Sequence, residues 1–311
     1  MNSPVVTVFI PCYNAGRFIA ETIDSILVQT YQDFEILIID DGSTDNSSEI
    51  LNKYAEKDER IRILKNKRNR GIGYTRNRGV REARGKYLAI MDADDVSVPA
   101  RLEKEVQYLE KNQSVGAVSG CAHMINEQGR KLGRPHLAAY SAQEVRAQLF
   151  FRNVIVNSAS MYRLDIVRNH NVKYKDDYHG VEDYMFWCML INYTDIEVLG
   201  ECFVYYRIVD SGLTITNIRK NNAERLKCIN EIHQYMLKKN GFHINRLFIH
   251  YYLPQYVGML PKGGVKNTIA MFGFFTQMLI QAKLMKKSYY LEMREFVVIV
   301  MKKKLSEILC L

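Results

Sequence analysis

The sequence predicts an α/β fold, in which helices wind around a mostly parallel sheet and a helical region follows at the C-terminal end. Two observations predict this class. Short apolar runs rich in β-branched residues alternate with segments of helical apolar spacing through residues 5–91. Polar clusters follow the apolar runs at Tyr13-Asn14, Asp40-Asp41 and Asp92–Asp95. Because parallel sheets bind ligands beyond the carboxyl ends of their strands, these clusters mark the expected binding edge.

Each element up to residue 91 follows from a local pattern. Strands are predicted at 5–10, 34–39, 60–64 and 86–91, where apolar and β-branched residues run together. Helices are predicted over 17–29, from an N-cap at Ser43 or Thr44 to Tyr54, and from the Asn69–Gly73 loop to residues 83–85. Asn46 and Ser47 are weaker candidates for the N-cap of the second helix.

Regular structure is predicted more sparsely after residue 115. A strand is expected at 115–119, a polar turn at 126–129, a helix around 142–150 and a pair of strands over 196–206. From about 217 the chain is predicted to be helical, with helices over 224–239, 265–285 and 289–309. The pattern is clearest in 224–239, where the apolar residues form one stripe.

The composition indicates a folded protein. The 311 residues include 47% hydrophobic and 25% charged residues, which excludes general disorder. The absence of a bilayer-length apolar run and of a signal-peptide pattern predicts a cytoplasmic chain without a spanning helix. Six cysteines without metal-site spacing are expected to be free thiols. The net charge of +9 is compatible with nucleic acid, an anionic membrane or a phosphorylated substrate, but no nucleic-acid motif accompanies it.

The strongest local motif is Asp92-Ala93-Asp94-Asp95, at the end of the fourth predicted strand. Residues two apart on a strand face the same side, so Asp92 and Asp94 are expected to point into one cleft. Two nearby carboxylates repel each other unless a cation relieves them, and Mg²⁺ or Mn²⁺ prefers such oxygen ligands. The alternative is a solvated acidic turn that caps the helix near Pro99. The position after a buried strand favours the metal site.

An acidic pair at 182–183 and a glycine pair at 71 and 73 are weaker motifs. Glu182-Asp183 precedes an apolar helix, where a fixed carboxylate is able to accept a proton from a sugar hydroxyl. Taken alone, the pair favours the alternative, which is the ordinary preference of acidic residues for helix N-termini. The Gly71-Ile72-Gly73 segment is rejected as a dinucleotide loop, because Arg76 replaces the next glycine and the segment precedes the fourth strand.

Taken together, the motifs resemble a known family. The inverting glycosyltransferases of family 2 have segments similar to PCYNAGRFIAETIDSILVQTYQDFEILIIDDGSTDNS, NRGIGYTRNRGVREARGKYLAIMDADD, VEDYMFW and Tyr206-Arg207. The resemblance is dense over residues 4–102 and moderate to about 215. It implies the nucleotide-diphospho-sugar transferase fold called GT-A over residues 1–216, with a nucleotide-sugar-binding half (1–115) and an acceptor-binding half (116–216). A helical C-terminal region is expected over 217–311.

The resemblance implies a nucleotide site beyond the first strands. Tyr13 is expected near the uracil ring, and one of Asp40 and Asp41 is expected to accept a hydrogen bond from uracil N3–H. Thr75 stands where the family usually has alanine. The implied nucleotide-binding residues are Pro11, Tyr13, Asn14, Asp40, Asp41, Asn69, Gly73 and Arg76.

The resemblance also implies the groups nearest the reaction. Asp92, Ala93 and Asp94 match the family's DxD motif, with Asp94 the more direct metal ligand and Asp92 nearer the ribose. Asp183 matches the catalytic base. Arg207 matches a basic position that often lies near the diphosphate, but Val209 stands where a histidine often follows.

The implied activity is the inverting transfer of a hexose or N-acetylhexosamine from a UDP-sugar, with Mn²⁺ or Mg²⁺. The implied acceptor is a saccharide or lipid-linked saccharide in the synthesis of bacterial cell-surface polysaccharide or lipopolysaccharide. Two alternatives belong to other classes. A nucleotidyltransferase also uses paired carboxylates, but it would carry a glycine-rich basic signature that PCYNAGRF lacks. A non-catalytic sugar-nucleotide-binding protein of the same fold is disfavoured by the intact Asp92, Asp94 and Asp183.

The C-terminal region admits two interpretations. Aromatic and aliphatic residues at 272, 274, 275, 278 and 279, followed by Lys283, Lys286 and Lys287, fit an amphipathic helix on an anionic membrane. Lys302 to Lys304 add to this charge. Such a chain would bind peripherally at the inner face of the plasma membrane. The alternative, which aromatic stripes favour slightly, is a packed helical layer or a homodimer contact.

Overall fold

The computed structural model describes residues 3–135, 137–178, 180–209, 223–243, 265–295 and 297–298. The chain divides into two compact units, the first of residues 1–140 with 155–220 and the second of residues 141–154 with 221–311. The predicted boundary at 216/217 lies outside the described residues. Residues 141–154, which we expected in the acceptor-binding half, group with the second unit.

Eight strands form one sheet in the first unit, in the order β3-β2-β1-β4-β7-β6-β8-β5. The strands are β1 Val6–Cys12, β2 Phe34–Asp40, β3 Ile61–Lys65, β4 Tyr87–Ile90, β5 Val96–Ser97, β6 Val115–Ile125, β7 Ser160–Arg163 and β8 Asp195–Arg207. The helices of the whole described chain are α1 Ile19–Leu27, α2 Ser47–Ala55, α3 Ile72–Glu82, α4 Arg101–Lys111, α5 Ala142–Gln148, α6 Leu164–Asn169, α7 Glu182–Leu190, α8 Ala223–Lys239 and α9 Val265–Leu284.

The parallel part of the sheet positions the site. β1 pairs in parallel with β2 and β4, and β2 pairs in parallel with β3. Every residue of β1, β2 and β4 is buried, as expected for strands with both faces covered. Cys12 pairs with Asp40, so β1 and β2 end side by side. The four strands predicted before residue 91 and the wound α/β class are confirmed.

Three predicted elements differ in detail from the structure. α2 begins at Ser47, and its N-cap is Asn46, one of the two weaker predicted candidates. Ser43 and Thr44 belong to the preceding loop, where their N–H groups donate to Asp40 and Asn14. The predicted pair of strands over 196–206 is one continuous strand, β8, which lies between β6 and β5 in the sheet. β6 also continues six residues beyond the predicted end at 119, to Ile125.

The second unit has an aromatic core. The ring of Phe150 lies 5.3 Å from that of Phe242 and 5.6 Å from that of Tyr289, and the ring of Phe151 lies 6.0 Å from that of Phe275. These contacts explain why 141–154 groups with the C-terminal helices.

The described helices test the predicted contact of the C-terminal region with a membrane. Phe274, Phe275 and Met278 are fully buried, so the packing alternative is right for these residues and the expected lipid-facing role is wrong for them. No helix in the described ranges is long and apolar enough to cross a bilayer. Most of the helix predicted over 289–309 and the lysines at 302–304 lie outside the described residues.

Candidate active site

The loops after β1 and β2 are joined by side-chain hydrogen bonds. The N–H of Asn14 donates to Ser43 Oγ over 3.0 Å, and the N–H of Thr44 donates to Asn14 Oδ1 over 2.8 Å. Asn14 has a φ of 50°, a left-handed conformation that asparagine tolerates better than most residues. Beside it Tyr13 exposes 47% of its surface. The joined loops hold an exposed aromatic ring at the carboxyl edge of the sheet.

Asp40 is buried and fixed by donors on three sides. It accepts hydrogen bonds from the N–H of Ser43 over 2.8 Å and from Ser48 Oγ over 2.5 Å, and Lys65 Nζ lies 3.4 Å away. Burial raises the pKa of this carboxyl, but the bonds from Ser48 and Ser43 and the charge of Lys65 outweigh burial and hold it below its ordinary value. Asp40 is therefore a stable anion.

Asp41 organises the loop that leads into α3. Its carboxylate accepts hydrogen bonds from Asn66 Nδ2 over 2.6 Å and from the N–H groups of Arg70 and Gly71, each over 2.9 Å. Asn69 Oδ1 accepts a second bond from the Gly71 N–H over 2.9 Å. Gly71 has a φ of 89°, which glycine adopts readily. Asp41 and Asn69 thus shape this loop, whether or not either contacts a nucleotide.

Two of the residues expected beside the nucleotide make close contacts within the protein, and their contact with a nucleotide stays a prediction. A Cβ at Gly73 would lie 2.9 Å from Asp176 Oδ1, so the absence of a side chain lets that segment pack against the start of α3. Arg76 is buried. Its Nη1 donates to Glu182 Oε1 over 2.6 Å and its Nη2 donates to Asp92 Oδ1 over 3.1 Å. Arg76 therefore links the DxD motif to α7.

The DxD carboxylates follow the buried strand β4, as predicted. The N–H of Asp92 donates to Ser158 Oγ over 3.0 Å, which fixes the start of the loop. Burial raises the pKa of Asp94 to about 6, and the negative charge of Asp92 adds to the effect while Arg207 opposes it. The negative charge of Asp92 thus opposes ionisation of Asp94, and a divalent cation would relieve this repulsion.

Arg207 holds the DxD loop from within the protein. Its backbone N–H donates to Asp95 Oδ1 over 2.9 Å and its Nε donates to the Asp94 carbonyl over 2.7 Å. Its other guanidinium nitrogens donate to Glu21 Oε2 over 2.6 Å and to the carbonyls of Asn126 and Glu127. A contact of Arg207 with a diphosphate stays a prediction, because these bonds account for the position of its buried side chain.

Asp183 lies on the first turn of α7 and is partly exposed. Its Oδ1 accepts a hydrogen bond from the Tyr184 N–H over 2.7 Å. Burial raises the pKa of Asp183 to about 6, the charge of Glu182 adds to it, and Arg76 opposes both. Glu182 is buried against Arg76. Of the two adjacent acids, Asp183 is therefore the more exposed.

Sequence reasoning missed several residues that build this site. Ser158 and Glu21 lie far along the chain from the groups they support, and nothing near them in sequence indicated a role. Asp95 does belong to the acidic run that the sequence analysis singled out, and its buried carboxyl accepts a hydrogen bond from the Arg207 N–H. No group of three or more histidine, cysteine or acidic side chains that could hold a metal ion occurs in the part of the chain that the structure describes.

Solved structures define the class of the fold. A structure of S. aureus TarS in complex with UDP-GlcNAc superposes with a TM-score of 0.62 and 16% identity, covering 94% of this chain and 91% of that one. The mannosyltransferase PcManGT from Pyrobaculum calidifontis, in complex with GDP-Man and Mn²⁺, has a TM-score of 0.57 and 18% identity, covering 91% and 76%. The fold is GT-A, as predicted.

The sequence matches then give the family. Residues 7–170 match the family model described as Glycosyl transferase family 2. An uncharacterised glycosyltransferase of Methanocaldococcus jannaschii is 34% identical over 223 residues, which cover 71% of this chain and 76% of the relative. An uncharacterised glycosyltransferase of Haemophilus influenzae is 33% identical over 250 residues, which cover 78% and 77%. The chain belongs to glycosyltransferase family 2, and the nucleotidyltransferase alternative is set aside.

Proposed function

We propose that this glycosyltransferase transfers a hexose or N-acetylhexosamine from a UDP-sugar to a hydroxyl of a saccharide or lipid-linked saccharide acceptor, with inversion at the anomeric carbon. One observation carries the proposal. Buried Arg76 pairs with both Asp92 of the DxD motif and Glu182 of α7, so the DxD loop is tied to the helix turn that carries Asp183.

The joined loops after β1 and β2 would hold the nucleotide. Tyr13 offers an exposed ring on which a base could stack, and the buried carboxyl groups of Asp40 and Asp41 could accept a hydrogen bond from a base N–H. The UDP-GlcNAc in the TarS structure supports a uridine donor, whereas the GDP-Man in the PcManGT structure is the alternative that a donor panel must include.

Asp94, with Asp92, would hold a divalent cation. The fit rests on the donor set, since two oxygen ligands under mutual repulsion suit Mn²⁺ or Mg²⁺, and the Mn²⁺ in the PcManGT structure supports it. When bound, the ion would stabilise the negative charge that develops on the leaving diphosphate. The chain's own contribution is to fix the loop, through Ser158 and Arg207, so that the two carboxylates keep their positions.

Asp183 would act as the base. A carboxylate with a pKa near 6 is ionised at neutral pH, yet it is a stronger base than an ordinary aspartate. It would accept the proton of the acceptor hydroxyl as that oxygen attacks the anomeric carbon from the face opposite the diphosphate. A single displacement of this kind inverts the anomeric configuration and forms no covalent glycosyl-enzyme.

A donor panel tests the proposal. UDP-glucose, UDP-galactose, their N-acetyl forms and GDP-mannose are incubated with the full chain, and nucleoside diphosphate release is measured with Mn²⁺, with Mg²⁺ and with chelator. We expect release from one or two UDP-sugars and its loss in chelator. Release that the chelator leaves unchanged would contradict the metal assignment, and release from GDP-mannose alone would contradict the uridine assignment.

A further inference from the structure

Exposed apolar side chains are concentrated at the C-terminal end of α9 and in the residues that follow. Eleven large apolar side chains are exposed among the described residues, and five of them fall within 280–298. These five expose between 37% and 76% of their surfaces. They are Ile280, Leu284, Met285, Leu291 and Val298, which we name the C-terminal patch. Exposed apolar side chains concentrated in one short segment point to an interaction site.

The second unit's core does not require these residues. Phe274, Phe275, Met278 and Ala282 fill the buried side of α9, while Ile280 and Leu284, one helical turn apart, are exposed. The same division continues beyond the turn, where Met293 is buried and Leu291 is exposed. This part of the chain therefore has one apolar face for its own core and a second that the described structure leaves exposed.

Basic residues outnumber acidic residues in the segment that carries the C-terminal patch. Lys283, Lys286, Lys287 and Arg294 lie within 280–298, against Glu292 and Glu295. Lys286 has a φ of 50° and lies in the turn after α9, next to the patch residue Met285. In a lipid interface, acyl chains lie beneath anionic headgroups. Apolar side chains interleaved with lysines suit such an interface, because the apolar groups can contact the acyl chains and the lysines can contact the headgroups. A two-fold contact between copies would instead bring like-charged lysines together.

We infer that the C-terminal patch docks this protein reversibly on an anionic lipid surface. Leu284 and Leu291 would enter the headgroup boundary, and Lys283 and Lys286 would lie at the phosphates. This places the contact on residues other than the buried Phe274, Phe275 and Met278 that the sequence pattern indicated. The inference does not depend on the donor or the acceptor proposed above.

Vesicle flotation of the full chain tests the inference. Vesicles of phosphatidylcholine alone are compared with vesicles that also contain phosphatidylglycerol, at low and high salt. We expect binding to the anionic vesicles only, and its release by salt. Leu284→Gln with Leu291→Gln should weaken binding by about tenfold or more, because two apolar side chains no longer leave water. Lys283→Gln with Lys286→Gln should weaken it by roughly fivefold per lysine.

Matched controls come from the first unit. Val28 and Leu137 expose 63% and 51% of their surfaces, so Val28→Gln with Leu137→Gln removes two comparably exposed apolar groups. Lys57→Gln with Lys111→Gln removes two exposed lysines. Circular dichroism verifies that each variant is folded. Equal flotation with neutral and anionic vesicles, equal loss in the control variants, or no flotation of the wild-type chain would each overturn the inference. A dimer in light scattering that Leu284→Gln dissociates, without vesicle binding, would assign the patch to a second copy instead.

Discussion

Two acidic regions at the carboxyl edge of the same sheet have opposite electrostatic character. At the end of β2, Asp40 and Asp41 each accept hydrogen bonds from several protein donors, and the pKa of Asp40 is held below its ordinary value. Beyond β4 and at the start of α7, burial and like charges raise the pKa values of Asp94 and Asp183 to about 6. Hydrogen-bond donors dominate the electrostatics of Asp40 in the first region, whereas burial and neighbouring negative charges dominate those of Asp94 and Asp183 in the second.

The difference separates two uses of carboxylates that look alike in sequence. Where the protein supplies the donors, the acid shapes a loop and adds stability. Where the protein buries the acid beside like charges, the ionised acid destabilises the folded state and is suited to binding a cation or a proton. We therefore expect substitutions in the two regions to have opposite effects on stability and activity.

Asp183→Asn should have the largest effect. It keeps the size of the side chain but removes the proton acceptor, so transfer should fall by roughly 10² or more while UDP binding is nearly unchanged. Transfer is measured by product formation and UDP binding by calorimetry. Glu182→Gln is a separate probe, because it weakens the bond to Arg76 without removing the proposed base. Full transfer by Asp183→Asn would move the base elsewhere.

Asp94→Ala should act on binding rather than on proton transfer. Removing the proposed metal ligand should weaken UDP binding in the presence of Mn²⁺ by about tenfold, the scale of a lost charge-assisted contact. UDP binding in chelator should be the same in wild type and variant. Calorimetric titrations with and without Mn²⁺ measure both quantities. An equal loss in both conditions would mean that Asp94 holds the nucleotide without a cation.

The two regions should respond oppositely in stability. Asp41→Asn places an amide N–H group among three N–H donors, and should lower the free energy of unfolding by about 1–3 kcal/mol. Asp94→Asn relieves repulsion with Asp92 and should be neutral or stabilising by up to about 1 kcal/mol. Urea denaturation at neutral pH without ligand gives both values. A larger loss of unfolding free energy for Asp94→Asn than for Asp41→Asn would contradict the electrostatic difference between the two regions.

The smallest expected effect is on the pH dependence of stability. The pKa of Asp183 is raised to about 6 in the folded protein, against about 3.9 in the unfolded chain. The folded state therefore holds the proton more tightly, so this contribution to stability is complete below pH 3.9 and is lost as pH rises to 6. A difference of about two pKa units corresponds to about 3 kcal/mol, which solvent screening of the partly exposed Asp183 reduces to about 1 kcal/mol. Asp183→Asn should remove that decline, measured as the difference between the two unfolding profiles. Parallel profiles would contradict the raised pKa.

The sequence predicted the parts of the site that depend on neighbours in the chain. The strands of the wound sheet, the position of the DxD motif and the acidic pair at the start of α7 all follow from local patterns, and the structure has each of them. The bond of Arg76 to Glu182 spans 106 residues and that of Arg207 to Glu21 spans 186, and no local pattern records either. The same limit explains residues 141–154, whose grouping with the second unit rests on contacts of Phe150 and Phe151 with distant rings.

The anomeric configuration of the product tests the central claim, which is a single displacement with Asp183 as the base. Once the donor panel identifies a sugar nucleotide, the glycoside formed on a saccharide acceptor is observed by proton NMR. An α-linked UDP-sugar should give a β-linked product, recognised by the larger coupling of its anomeric proton in a gluco-configured sugar. An α-linked product would show retention, and with it a mechanism in which Asp183 is not a base opposite the leaving diphosphate.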